Sequence, residues 1–136
     1  MLDKVSKLSL KDSSLLRDAC FIGGEWIAAD GGGTIKVDNP ANGAVVGTVP
    51  NMGAAETRRA IDLANAALPA WRAKTAKERS AILRKWFELM MANQEDLAMM
   101  MTAEQGKPLA ESRGEIAYAA RFFEWFAEEG KRVYGD

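Results

Sequence analysis

The chain has one thiol, Cys20, and no histidine. A cysteine becomes a nucleophile when a base, a cation or a helix N-terminus lowers its pKa. Cys20 stands next to Phe21 at the start of a β-prone run, and no histidine exists to serve as its base. Its first reading is therefore a small, buried or half-buried structural residue. Carboxylates are the other chemical resource. Glu111, Glu115, Glu124, Glu128 and Glu129 recur along one helical segment. Paired carboxylates can do acid–base work. The preferred reading is a solvated helix face, with Glu128 and Arg132 as an i,i+4 ion pair. Gly31-Gly32-Gly33 lacks the Lys-Ser/Thr of a phosphate-binding loop and opens no helix, so it reads as a hairpin turn. Glycines 43, 47 and 53 likewise miss the dinucleotide fingerprint. The methionines at 90, 91, 99, 100 and 101 read as adaptable core packing. Composition and spacing assemble no active site here: no catalytic and no cofactor-binding residue is assigned.

The elements that would hold these residues follow from periodicity. Residues 1–18 read as an arm, loosely ordered or a short helix. Residues 21–50 alternate β-prone runs (Phe21-Ile22, Trp26-Ile27, Ile35-Lys36-Val37, Val45–Val49) with Gly- and Asn-rich turns, so an antiparallel β-meander is expected. About four helices should follow over 54–134. The first carries Ala60/Ile61, Ala64, Leu68 and Trp71 on one stripe, and Pro69 should end or kink it. Thr75 and Glu78 form a capping-box pattern opening the second. That helix has Ile82, Trp86 and Leu89 on one side and Leu83, Phe87 and Met90 beside them. Asn93 with Asp96 resembles a second cap. Gly106 should close the third helix, and Pro108 should fall in the first turn of the fourth. The last helix, to about Arg132, has a main stripe of Leu109, Ile116, Ala119, Phe123, Phe126 and Val133. Its second stripe is Tyr118, Phe122 and Trp125. A helix apolar on more than one side needs several neighbours, so the segment reads as part of a larger protein.

Composition narrows the class. With 136 residues the chain falls in the range of one domain, and 48 % apolar with 27 % charged residues is ordinary for a soluble globular protein. The net charge of −1, with both signs interspersed, makes nucleic-acid and membrane-surface partners unexpected. A lone cysteine cannot form an internal disulfide. No apolar run nears the roughly 20 residues of a membrane span. A cytoplasmic location is expected.

The order of motifs is similar to a known family. Phe21-Ile-Gly-Gly-Glu-Trp26, Asp38-Asn-Pro-Ala-Asn-Gly43, Val49-Pro50, Leu68-Pro-Ala-Trp71, Glu78-Arg79, Asp96-Leu97-Ala98 and Glu104-Gln-Gly-Lys-Pro108 resemble, in this order, the opening of the aldehyde dehydrogenase superfamily. Met101–Glu111 and Glu124–Arg132 look most like its bacterial succinate-semialdehyde dehydrogenases. The resemblance implies an α/β fold for the intact protein. It makes residues 19–136 the incomplete N-terminal part of that domain (meander 21–50, helices 54–134). The implied reaction is oxidation of an aldehyde to a carboxylate with NAD or NADP. A cysteine thiolate adds to the aldehyde, hydride leaves for the cofactor, and water releases the acyl group. The family's Gly-Gln-x-Cys and Glu-Leu-Gly-Gly segments do not occur in residues 1–136. This piece is therefore expected to be scaffold and inactive alone.

The resemblance also implies partners and sites. The partners are the remainder of the enzyme chain, a small aldehyde substrate and further copies in a dimer or tetramer. A structural monovalent or divalent cation would take oxygens from Asp38 (its carbonyl) and Glu104. The aromatic helix, through Tyr118, Phe122 or Phe123, would line the aldehyde entrance, although plain core packing is the first reading for each. A different class stays open: a non-catalytic helical interaction module docking through Tyr118, Phe122 and Trp125.

Overall fold

The structure, a computed structural model, describes residues 8–134; the first seven residues of the expected arm lie outside the described residues. Two antiparallel hairpins come first. β1 (Cys20–Ile22) pairs with β2 (Glu25–Ile27), placing Phe21 opposite Trp26. Their two-residue turn, Gly23-Gly24, has φ of +64° and +93°, the mirror-image turn that suits strand twist and that glycine adopts without strain. β3 (Thr34–Asp38) pairs with β4 (Val45–Pro50), with a bulge between Val37 and Asp38. The Asn39 and Asn42 side chains close that turn by accepting from the N–H groups of Ala41 and Ala44, each at 2.9 Å.

The strands are antiparallel as expected, but they form two separate sheets and not one continuous meander. The chain turns after β2, where Gly32 N–H bonds to Ala29 C=O at 2.8 Å. A nearby donor, Asp30 N–H, goes to a helix: it meets Glu56 Oε1 at 3.2 Å.

α1 (Ala54–Ala73) starts at Gly53, whose N–H donates to Glu56 Oε2 at 3.0 Å. Pro69 does not end it, and the helix continues to Ala73. A proline there removes a single hydrogen bond, the one to Asn65 C=O, and Asn65 is exposed, where water can serve that carbonyl. The expected apolar stripe holds in part: Ala60 and Ala64 line a hollow against hairpin β1–β2 together with Leu63 and Ala67, whereas Ile61, Leu68 and Trp71 are exposed. A Cβ on Gly23 would lie 3.0 Å from Leu63 Cδ1.

α2 (Ala76–Ala92), α3 (Gln94–Gln105) and α4 (Leu109–Glu129) form the second unit, with α4 lying along both others. Thr75 caps α2 as its sequence requires: Glu78 N–H donates to Thr75 Oγ1 at 3.3 Å, and Thr75 N–H donates to Glu78 Oε2 at 2.7 Å. Gly106 closes α3 at φ +74°. Pro108 is the residue just before α4, one position earlier than a first-turn proline.

The Asn93–Asp96 cap does not form. Asn93 Nδ2 turns back to Leu89 C=O at 2.9 Å, and Asp96 binds the N-terminal arm. The sequence signal for that contact is an acidic residue entering the apolar run that starts at Leu97.

The buried face of α4 also differs from the expected stripe. It is Ser112, Ile116, Ala120 and Ala127, on a helix that packs against both α2 and α3, and α3 in turn buries Ala98 and Ala103. Small side chains let helix backbones approach closely, so the line of nearest contact follows size and not apolarity. Ser112, fully buried, pairs its hydroxyl with that of Thr102 at 2.8 Å. Phe126 is exposed, and Val133 lies beyond the helix, 82 % exposed. The Glu128–Arg132 pair is replaced by Glu128–Lys131 and Glu129–Arg132, because the helix ends at Glu129.

Candidate functional site

Two groups of residues stand out. The first is where the turn after β3 meets the end of α3. A Cβ on Gly106 would stand 2.9 Å from Pro40 Cγ, so the Asn39-Pro40 turn and the Gly106-Lys107-Pro108 break are in contact. Asp38 ends β3 at the bulge, exposed. Glu104, also exposed, stands in the last turn of α3. Glu104 lines a cleft of about 380 Å³ together with Leu16 and Arg17 of the arm and Val37, Val46 and Thr48 of the second hairpin. The Asp38 carbonyl and the Glu104 carboxylate are hard oxygen donors, the type Ca²⁺ or a similar ion takes. Among the described residues no three of His, Cys, Asp and Glu cluster as a metal site.

The second is the aromatic side of α4. Tyr118 and Phe122, one turn apart, meet edge-on with centroids 5.0 Å apart at 88°. With Arg121, Trp125 and Phe126 they line an open hollow of about 370 Å³. Tyr118 is 66 % and Trp125 63 % exposed, so plain core packing within residues 8–134 does not account for them. Phe123 leaves this group. It is half-buried and lies against Trp86 of α2, with centroids 4.3 Å apart. One residue step turns a helix by about 100°, enough to send Phe122 and Phe123 to different neighbours.

The remaining chemical groups are engaged structurally. Cys20 is half-buried opposite Ile27. Glu115 pairs with Lys107, and Glu124 pairs with Arg84 across α2 and α4 at 2.9 Å. The Lys131 ammonium beside Glu128 holds its carboxyl below the usual range. Arg113 clamps Glu95 with two bonds of 2.7 and 2.6 Å, holding that carboxyl low as well and tying α4 to α3. The N-termini of α1 and α2, where a phosphate would otherwise find donors, are filled by Glu56 and Glu78.

The sequence profile of the aldehyde dehydrogenase family matches residues 26–136. The chain belongs to the aldehyde dehydrogenase family. Within that family it is 70 % identical, over 95 % of its own length, to a glutarate-semialdehyde dehydrogenase of Pseudomonas putida. It is 66 % identical over the same share to a succinate-semialdehyde dehydrogenase [NADP(+)] of Escherichia coli. A crystal structure of an aldehyde dehydrogenase from Brucella melitensis superposes with a TM-score of 0.94 at 62 % identity, covering 96 % of this chain. The chain spans 27 % of the length of each of these three proteins. The hairpins and helices described above are therefore family structure. Among the described residues no helix is long and apolar enough to cross a membrane.

Proposed function

We propose that these 136 residues are the N-terminal part of an NAD(P)+-dependent enzyme that oxidises the semialdehyde of a short dicarboxylic acid, succinate semialdehyde first, to the dicarboxylate. One observation carries this reading: identity of 66–70 % to enzymes named for succinate and glutarate semialdehydes, spread over 95 % of the chain. Four- and five-carbon semialdehydes share an aldehyde at one end and a carboxylate at the other, so both are substrates to assay.

The part played by residues 1–136 is scaffold. Thiol, general base and cofactor loop belong to the rest of the enzyme, and the helices described here pack against it. The Asp38 carbonyl and Glu104 carboxylate would contribute to a structural cation. Tyr118 and Phe122 would form one wall of the aldehyde entrance, with Phe123 beside them bracing α4 on Trp86. A cytoplasmic, oligomeric enzyme (dimer or tetramer) is the accompanying expectation. The exposed Tyr118/Phe122/Trp125 face favours a second reading, a non-catalytic helical module that docks on a partner.

An assay separates them. The complete protein should reduce NAD+ or NADP+ when given succinate or glutarate semialdehyde, and residues 1–136 alone should not. A complete protein inert toward both semialdehydes with either cofactor would sink the enzyme reading. Turnover by residues 1–136 that survives Cys20→Ser would show that the chemistry lies in this part after all.

A further inference from the structure

Asp96 is a carboxylate only 3 % exposed, in the first turn of α3. Its two oxygens take backbone N–H groups 85 and 84 residues earlier in the chain: Lys11 N–H to Oδ1 at 3.0 Å and Asp12 N–H to Oδ2 at 2.9 Å. Bonds from backbone donors to an ionised acceptor are among the stronger hydrogen bonds. From that point contacts run outward along the arm. Asp12 Oδ1 accepts from Ser14 N–H at 2.9 Å and caps the turn Ser13–Leu15. The next residues, Leu16, Arg17 and Asp18, form one wall of the cleft that holds Glu104. Arg17 also lies over the Trp26 ring, 5.1 Å from its centroid.

We propose that residues 8–18 are a strap, latched by Asp96, that closes the cleft between hairpin β3–β4 and the end of α3. The donors are main-chain groups, with the Lys11 ammonium adding attraction to Glu95 of α3, and Asp96 accepts both bonds of the latch. Arm backbone that would fray in its absence is thereby held as the wall facing Val37, Val46 and Glu104. The inference rests on these hydrogen bonds and not on the enzyme reading.

Two variants of the complete protein test it from opposite sides: Asp96→Asn, which leaves one oxygen acceptor, and Lys11→Pro, which alters only the arm and removes one donor together with the ammonium that attracts Glu95. The measurement is the rate of tryptic cleavage after Arg17, with cleavage after Lys85 in α2 as the internal control. Losing one charge-assisted bond should speed cleavage after Arg17 by about tenfold or more in both variants. The Lys85 rate should stay unchanged. Unchanged cleavage after Arg17 in either variant overturns the strap. Acceleration at Lys85 as well would assign Asp96 to helix stability alone and equally overturn it. Because the readout is cleavage, the result is independent of whether the semialdehyde assay succeeds.

Discussion

Gly106 and Pro40 are in direct apposition: a Cβ added to Gly106 would come within 2.9 Å of Pro40 Cγ. The contact joins the turn after β3 to the end of α3, and Gly106 holds it at φ +74°. Gly106→Ala is expected to lose about 1–2 kcal/mol from the left-handed backbone alone, with the collision against Pro40 adding to it. The thermal midpoint of the variant complete protein checks this; an unchanged midpoint would refute it.

Glu56 predicts a specific acid sensitivity. Its carboxylate accepts from its own backbone N–H and from those of Gly53 and Asp30, and these bonds hold its pKa below the usual glutamate value of 4.5. A carboxylate depressed in the folded state binds fewer protons there than when unfolded. Its contribution is complete above the unfolded value and is lost as pH falls through the folded one. Glu56→Gln should therefore lower stability at pH 7, and the gap to the parent should close below about pH 4.5. Denaturation midpoints of both proteins between pH 7 and 3 measure that gap. A gap independent of pH would show that the charge on Glu56 is not what matters.

Thr75 offers a local test. Its hydroxyl accepts from Glu78 N–H and donates to the Glu78 carboxylate at 2.8 Å. Thr75→Ala should cost about 1 kcal/mol, the usual loss for a helix N-cap. Thr75→Ser should recover most of it. Hydrogen exchange in the first turn of α2 reads the effect directly, and equal protection in both variants would argue against the cap.

The aromatic side of α4 separates the scaffold from the docking-module reading. Residues 1–136 alone should self-associate or bind a hydrophobic dye, because Tyr118, Phe122, Trp125 and Phe126 are open to solvent. Trp125→Glu should reduce that binding in the isolated residues and destabilise the complete protein, where the scaffold reading has the face covered. A monodisperse, dye-free stretch 1–136 would weigh against the scaffold reading.

Local features are legible in the amino-acid sequence. The Thr75–Glu78 box, the left-handed Gly106 and the turn residues between strands all work within about four residues of chain. Asn93 shows the limit. Its side chain has two local options, and it takes the bond to Leu89 C=O, while the Asp96 carboxylate goes to Lys11 and Asp12. Of the candidate site, the composition of the aromatic helix is readable from its residues. The separation of Phe123 from Tyr118 and Phe122 is not, since it depends on Trp86 arriving from α2.

The strands, the four helices, the Thr75 and Gly106 caps and the family are thus properties of the residue order, because they rest on local hydrogen bonding and on ordered motifs. Three features come from the packed molecule alone: the pairing of the strands in two hairpins, the burial of Ser112, Ile116, Ala120 and Ala127 on α4 while Phe126 stays outside, and the hold of Asp96 on the arm. Each of these depends on which surface arrives opposite and how closely it can approach. That is a property of packed pairs of elements, which no single segment carries.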